Sequence, residues 1–471
     1  MEIKFGTSGW RDLIADGFTF HTVRICTQAI ADHLLAGKAE KGGVIIGSDT
    51  RFLSPQFMAI AARVLAANGI KVFLCVRDTP TPVISFEILR RKASGAINFT
   101  ASHNPPEYHG LKFSPAWGGP ALPVTTGDIE QRANALMKSG KYLNMEMADA
   151  EKQGLIERIN PMDTYLEDLR KKVDLKIIGA SGLKILVNPL YGTSRGYLDR
   201  ILREAGCSVD VMNDHLDPYF GNLPPEPSEH EIPDMIQRMK TGGYDLGLAT
   251  DGDADRFGVL GKDGRFYEPN QILGMVLDHL KSTRNWTGGV ARSVATTHLV
   301  DAVAAHHKIE VFETPVGFKY VGELISQDKI VMGGEESAGM TIKGHVPEKD
   351  GIIACLVVAE MVAKQKLPIA DILENLYKKV GTYLTRRLNF RLTQAEKDKV
   401  IEKLKTDPKE VAGFKVKKVV KIDGTKYLLD NDAWVLMRLS GTEPVVRYYA
   451  EARDQKTLDA LSEFGRVFMK G

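Results

Sequence analysis

Three times along this chain a short apolar strand, a helix bounded by turn residues, a second strand, a second helix and a third strand follow one another. In the first copy strands read at residues 44–47, 71–74 and 96–99. Its helices run from Ser54-Pro55, as N-cap and first helical proline, to the Asn68-Gly69 stop, and over 82–91. The second copy places strands at 183–187, 208–212 and 246–249, with helices at 195–204, stopped by Gly206, and at 229–240. The third has strands at 289–294, 309–312 and 330–332 and helices at 298–306 and 320–326. Strands that alternate with helices predict a parallel sheet, so the chain reads as three copies of one α/β unit. From about Gly381 the alternation stops. A helix near 394–404, strands near 416–422, 434–437 and 445–450 and a closing helix over 455–469 predict a smaller α+β domain. The expected domains are 1–145, 155–258, 259–376 and 381–471, which suits 471 residues at about 150 per domain.

In open parallel sheets ligands sit beyond the carboxyl ends of the strands. There each copy carries a polar loop: Thr100-Ala101-Ser102-His103-Asn104-Pro105, Asp251-Gly252-Asp253-Ala254-Asp255-Arg256 and Gly333-Gly334-Glu335-Glu336-Ser337. Three such loops can face one cleft. Asp251, Asp253 and Asp255 alternate, so in a nearly extended backbone their carboxylates point to one side. Crowded carboxylates repel unless a cation sits among them, and hard oxygen ligands suit Mg²⁺. A calcium loop of the EF-hand kind needs Gly and Glu where this chain has Arg256 and Lys262, so that reading fails. A solvated acidic turn is the other reading of the spacing. Ser102 follows an apolar strand, with His103 beside it and Lys112 downstream. A serine hydroxyl is a weak nucleophile without a base or cation nearby, whereas a phosphoserine is a donor of about −2 charge that Mg²⁺ can clamp. The alternative is a turn in which Ser and Asn satisfy backbone groups.

Glu335, Glu336 and Ser337 offer acceptors suited to sugar hydroxyls, and Thr314, Gly317 and Lys319 form another polar turn after a strand. His345 and Lys349 add candidate phosphate or proton-transfer contacts. In the last domain Arg438, Ser440, Gly441, Thr442 and Arg447 combine two guanidinium forks, two hydroxyls and an unhindered backbone, the ingredients of a phosphate cradle. Near the N-terminus Gly6-Thr7-Ser8-Gly9-Trp10-Arg11-Asp12 offers close backbone approach and a fixed cation in Arg11.

The charge balance, 62 Lys+Arg against 60 Asp+Glu, is too even for a nucleic-acid footprint. The most apolar stretch, 352–363, contains Glu360 and falls well short of the ~20 residues that cross a bilayer, so it reads as a buried helix. Cys26, Cys75, Cys207 and Cys355 are too far apart in sequence for a metal or redox pair motif and read as free thiols of a reducing compartment. Residues 1–10 lack the apolar core of a signal peptide. These features predict a cytoplasmic protein with no membrane or nucleic-acid partner.

Taken in order, the loops Thr100–Pro105, Asp251–Arg256, Gly334–Ser337 and Arg438-Leu439-Ser440-Gly441-Thr442-Glu443-Pro444 make the chain resemble the α-D-phosphohexomutase superfamily, its phosphoglucomutase/phosphomannomutase family. The motifs match that family's phosphoserine, metal, sugar-recognition and phosphate-binding loops and span nearly the whole chain. The resemblance implies three related mixed-sheet α/β domains and a smaller C-terminal α+β domain around a central cleft, in a monomer or homodimer. It implies that phosphorylated Ser102 passes its phosphoryl group to a hexose monophosphate, and that the resulting hexose 1,6-bisphosphate, intermediate and activator, turns round and returns the other phosphoryl. By resemblance Mg²⁺ is held by Ser102, Asp251, Asp253 and Asp255. Arg11, His103 and Lys112 surround the reacting oxygens. Arg256, Thr314, Gly317, Lys319, Glu335, Ser337 and His345 meet the substrate, and Arg438, Ser440, Gly441, Thr442 and Arg447 hold the non-reacting phosphate. Glu336 and the Gly317-Phe318-Lys319 turn are closer to the glucose-handling branch than to the mannose or glucosamine branches. A phosphomannomutase or dual-specificity enzyme, a phosphoglucosamine mutase, a hexose bisphosphate synthase and a sugar-phosphate-binding protein without turnover are the alternatives.

Overall fold

The computed structural model describes residues 2–6, 9–439 and 445–470, and its strands form four sheets. Each of the first three contains one recurring quartet. In the first sheet Gly95–Phe99 lies between Val44–Ser48, its parallel neighbour, and Tyr108–Pro115, which returns antiparallel; Val72–Cys75 lies beyond Val44–Ser48. The second sheet repeats the order with Phe257–Gly261, Leu246–Thr250, Lys184–Asn188 and Ser208–Val211. The third repeats it with Gly339–Ile342, Ile330–Glu335, Gly289–Ser293 and Val311–Thr314. The strands Val44–Ser48, Leu246–Thr250 and Ile330–Glu335 are buried at every residue, as largely apolar strands are when helices cover both faces.

The antiparallel fourth strand, which the βα alternation alone does not announce, makes each sheet mixed, as the family resemblance implies. A parallel crossover needs a dozen or more residues. The polar loops over 100–107, 251–256 and 336–338 are too short for one, so each turns the chain straight back as a hairpin. The sheets also outrun the expected boundaries: Ile156–Ile159 pairs with Val72–Cys75 in the first sheet, and Phe257–Gly261 with Phe266–Tyr267 closes the second. Ser54 is not an N-cap. Leu53, with φ 65°, caps the helix Ser54–Ala67, and the Ser54 hydroxyl instead meets His109 Nε2 at 3.0 Å.

Helix Gly351–Gln365 is the apolar stretch read as buried. Residues 351–363 are all buried, and Asp350 caps the helix by accepting the Ile352 and Ile353 N–H groups at 2.8 and 3.1 Å. It shares one core with the second and third sheets. Its buried charged residue, Glu360, is neutralised by Arg284 at 2.9 Å. Among the described residues no helix is long and apolar enough to cross a membrane. All four cysteines are free and buried.

The fourth sheet is antiparallel, ordered Leu384–Arg391, Val445–Ala452, Trp434–Leu439, Thr425–Leu429, Phe414–Val420 and Glu410–Val411. Helices Gln394–Lys403 and Gln455–Lys470 complete the α+β domain. It docks on the third domain through Val294, Ala295, Trp434, Leu436 and Tyr449. Glu451 adds polar ties there, accepting from Trp434 Nε1 at 2.6 Å and from the His298 N–H at 3.1 Å.

Candidate active site

Each hairpin loop bends through one non-glycine residue in the left-handed region: Ser102 at φ 54°, Ala254 at φ 58° and Ala338 at φ 69°. Such a conformation costs about 1–3 kcal/mol and persists only where the surroundings enforce it. For Ser102 the enforcement is visible. Its N–H donates to Thr100 Oγ1 at 2.8 Å, Thr100 Oγ1 donates to Asp49 Oδ2 at 2.6 Å, and its carbonyl accepts from Arg51 Nη2 at 2.7 Å. The buried Ser102 hydroxyl is thereby aimed at the second domain, donating to Asp251 Oδ2 at 3.1 Å with His103 Nδ1 at 3.3 Å.

Asp251, Asp253 and Asp255 are all buried, and one carboxylate oxygen from each lies within 4.8 Å of the others. Burial, reinforced by Asp253 and Asp255, pushes the Asp251 carboxyl well above the usual range. Burial also opposes the charge on Asp253, but Lys112 at 2.6 Å outweighs it and holds that carboxyl far below. Lys349 stands 2.8 Å from Asp255. Despite these partners, Asp253 Oδ1 and Asp255 Oδ1 have no hydrogen-bond partner. Buried carboxylate oxygens left without a donor are costly. Two orphaned oxygens in a convergent oxygen-only set fit a hard divalent cation such as Mg²⁺. A second group of possible ligands, Asp278, His306 and His307, is a mixed nitrogen and oxygen set on two helices and the cap of one, away from the polar loops. Its carboxylate is already shared by Lys379 at 2.9 Å and His307 at 2.8 Å.

The first domain supplies cations from adjacent strands. Gly9–Leu13 pairs with Tyr108–Pro115, which puts Arg11 and Lys112 on one face of the sheet. Arg11 Nη1 donates to Asn104 Oδ1 at 2.8 Å. Burial, with Arg256 and Arg11 close by, holds the His103 imidazole well below its ordinary value, so it is neutral.

Gly351 shows how closely the domains meet: its N–H donates to Ala254 O at 2.9 Å, and a Cβ there would stand 2.2 Å from Arg256 O. The N-terminus of the central helix thus abuts the acidic loop.

Arg256 donates its N–H to Asp251 Oδ1 and its Nη1 to Glu226, both at 2.9 Å. A cavity of about 400 Å³ joins Arg256 to Glu336 and Ser337 of the third domain and to Trp434 and Tyr449 of the fourth. A larger groove, about 700 Å³, is lined by Trp286, Gly289 and Lys308 at the opposite end of the third sheet and holds no site residue. Glu335 accepts the Gly317 N–H at 2.7 Å, and burial, then Glu336, pushes its carboxyl up to about 7. Thr314 ends strand Val311–Thr314, and Lys319 lies in the first turn of helix Phe318–Ser326, both buried. Arg438 and Arg447 face each other across paired strands, and Arg438 Nε donates to Asp423 Oδ2 at 2.8 Å, which also accepts from Val316 N at 3.1 Å. Ser440, Gly441 and Thr442 lie outside the described residues, as do Thr7 and Ser8.

His345 does not line the cavity: its side chain has 0% exposure, with Nε2 on Asp350 at 2.6 Å and Nδ1 on Lys172 at 3.0 Å, a position that supports the helix cap and departs from the substrate contact expected of it.

Several site residues escape sequence reasoning. Thr81 donates Oγ1 to Asp253 Oδ2 at 2.6 Å and accepts from Asn98 at 2.8 Å. Asp49 and Arg51 anchor the Ser102 turn. Glu348, pushed up to about 7 by burial against the pull of Lys349, lies beside the cations. The only sequence signal for Asp49 and Arg51 is their place just past the strand Val44–Ser48, at its carboxyl end.

Family models described as phosphoglucomutase/phosphomannomutase match the chain in four parts: alpha/beta/alpha domain I over 2–139, domain II over 163–264, domain III over 268–380 and the C-terminal domain over 388–464. A phosphoglucomutase of Komagataeibacter xylinus is 32% identical, the match covering 96% of this chain and 87% of that protein. A phosphoglucomutase/phosphomannomutase of Thermococcus kodakarensis is 28% identical over 98% of this chain and 97% of its own. The crystal structure of a putative phosphomannomutase from Thermus thermophilus superposes with a TM-score of 0.86 at 32% identity, covering 100% of both chains. The four domains, in this order around these loops, make the chain a member of the phosphoglucomutase/phosphomannomutase family of the α-D-phosphohexomutase superfamily, an enzyme of the phosphohexomutase type.

Proposed function

We propose that the chain interconverts glucose 1-phosphate and glucose 6-phosphate through a phosphorylated Ser102. The observation that carries this is the meeting of Ser102 Oγ with the acidic trio, 3.1 Å from Asp251 Oδ2 and across a domain boundary. An isolated serine turn has no reason to be aimed at three buried carboxylates.

In the forward step the hydroxyl of a bound hexose monophosphate attacks phosphorus. A sugar O–P bond forms, the Ser102 Oγ–P bond breaks, the sugar proton leaves to a nearby base and Ser102 Oγ takes a proton back. His103, neutral and 3.3 Å from Oγ, is in reach of that exchange. Arg11 and Lys112 bring fixed positive charge to the transferring group, the main requirement of a loose phosphoryl transfer. Asp251, Asp253, Asp255 and the phosphorylated Ser102 would hold Mg²⁺, which would supply positive charge to offset that on the transferring group. The bisphosphate then turns round, and the second phosphoryl returns to Ser102. Arg438 and Arg447, with Ser440, Gly441 and Thr442, hold whichever phosphate is not reacting; cationic forks accept either end of the sugar. Arg256, Thr314, Gly317, Lys319, Glu335 and Ser337 orient the sugar between them.

Glucose is favoured by the Glu335-Glu336-Ser337-Ala338-Gly339 run and the Gly317-Phe318-Lys319 turn. The Komagataeibacter relative carries the name phosphoglucomutase, while the Thermus relative carries phosphomannomutase, which keeps mannose phosphates as the second candidate. The test is turnover of glucose, mannose and glucosamine phosphates with Mg²⁺ and a trace of glucose 1,6-bisphosphate. Glucose 1-phosphate is expected to give the highest kcat/KM, and Ser102→Ala to abolish turnover. Undiminished activity in Ser102→Ala would end the phosphoserine route, and a preference for mannose would end the glucose assignment alone.

A further inference from the structure

Resting on that reading of Ser102, we propose that Arg51 is the positioning residue of the phosphoryl-carrying turn, its guanidinium gathering three carbonyls of the loop and one at the start of the returning strand so that Ser102 Oγ is held in the transfer geometry. Arg51 is 1% exposed and lies just past the strand Val44–Ser48. Nε donates to Asp49 Oδ2 at 3.0 Å. Nη1 donates to Pro105 O at 2.7 Å and Tyr108 O at 2.9 Å, and Nη2 to Ser102 O at 2.7 Å and Asn104 O at 2.5 Å.

A guanidinium has five N–H donors, and these contacts use every one. None is left for a substrate phosphate. Arg51 therefore acts through the loop and not on the reacting atoms. Three carbonyls of the turn and the first carbonyl of the returning strand converge on this single cation, which fixes the opposite side of the turn, bearing Ser102 and His103, toward the aspartates. The second limb runs through Asp49 and Thr100 to the Ser102 N–H, so both peptide groups of Ser102 are tied back to the end of one buried strand. That is the over-determination a serine at φ 54° needs. The ring of Phe220, from the second domain, closes the site with its centroid 5.0 Å from Arg51 Cζ. The anchor thus lies where the nucleophile's domain meets the acidic loop's domain. Lysine offers three donors from a point charge and cannot reproduce a planar five-donor fork.

The test compares wild type, Arg51→Lys and Thr100→Val in steady-state turnover of glucose 1-phosphate, amide hydrogen exchange and thermal unfolding. Arg292→Lys serves as the control for weakening a buried arginine elsewhere, since Arg292 pairs with Asp301 and Glu313 in the third domain. Arg51→Lys is expected to lower kcat about a hundredfold, the size of effect a misplacement near 1 Å produces, with KM little changed and faster exchange confined to residues 100–108. Thr100→Val, which leaves Arg51 in place, is expected to show the same pattern with a loss of about tenfold, and it carries the test if Arg51→Lys does not fold. Arg292→Lys is expected to keep the wild-type kcat per folded molecule. A wild-type kcat in Arg51→Lys or in Thr100→Val, a change in KM alone, or exchange raised across the whole first domain would overturn the inference. A wild type that turns over no hexose phosphate would instead overturn the reading beneath it, and the inference with it.

Discussion

Replacing Lys112 by methionine removes a cation from the acidic cluster while keeping most of the side-chain volume. The ammonium stands 2.6 Å from Asp253 Oδ2 and 3.5 Å from Asp255 Oδ2. At an effective dielectric constant of about 20 the shorter contact is worth about 6 kcal/mol by Coulomb's law. Protonating an ordinary carboxyl at pH 7 costs about 4 kcal/mol. The variant's cluster therefore takes up a proton rather than bear the full charge imbalance, and the destabilisation is capped near 4 kcal/mol, within the range for breaking a buried pair. For a domain of this size that corresponds to melting about 10 °C lower. The deficit belongs to the metal-free protein. Mg²⁺ restores positive charge to the same oxygens, and binding to the folded state adds stability as RT ln(1 + [L]/Kd). Thermal unfolding of both proteins with chelator and with Mg²⁺ reads both effects. Lys112→Met is expected to melt well below wild type in chelator, with the gap narrowing as Mg²⁺ is added. Equal melting in chelator, or an equal Mg²⁺ shift in both proteins, would refute the charge balance argued here.

Two further outcomes follow from buried carboxyls. Glu360 accepts from Arg284 at 2.9 and 3.0 Å, from His279 at 3.0 Å and from Asp174 N at 2.8 Å. Burial opposes its charge, but His279 and Arg284 outweigh it and hold the carboxyl at about 2 against an ordinary 4.5. A depressed carboxyl stabilises the fold above its unfolded value and loses that contribution as pH falls through the folded one. Glu360→Gln should therefore cost about 3 kcal/mol at pH 7 in urea unfolding and little near pH 2; a gap independent of pH would contradict this. Glu335, raised to about 7, is ionised above that pH and protonated below it. KM for the sugar phosphate should rise several-fold as pH drops from about 8 to about 6, and Glu335→Gln should flatten that rise. Parallel profiles in the two proteins would remove Glu335 from sugar binding.

The repeat was legible because three apolar strands per copy, spaced by helices, can fold only as a sheet with its loops at one end. The acidic trio was legible because alternate aspartates leave few options for their charge. The returning strands Tyr108–Pro115, Phe257–Gly261 and Gly339–Ile342 were not, since a hairpin after a parallel strand leaves no mark in the βα alternation. Thr81 and Arg51 were hidden for another reason: their partners lie far off in sequence, at Asp253 and at residues 102–108. An isolated arginine or threonine looks the same whether it faces water or closes a network. His345 shows the converse, since a histidine near a polar turn reads as a ligand until both ring nitrogens are seen to be engaged.

Every step of the proposed transfer depends on Ser102 as the group that carries the phosphoryl. Intact mass and peptide mapping after incubation with glucose 1,6-bisphosphate and Mg²⁺ test it most directly. The expected result is one added phosphoryl group, on the peptide that contains Ser102, lost again when excess glucose 1-phosphate is supplied. A protein that turns over substrate yet gains no mass, or gains it on another residue, would contradict the account.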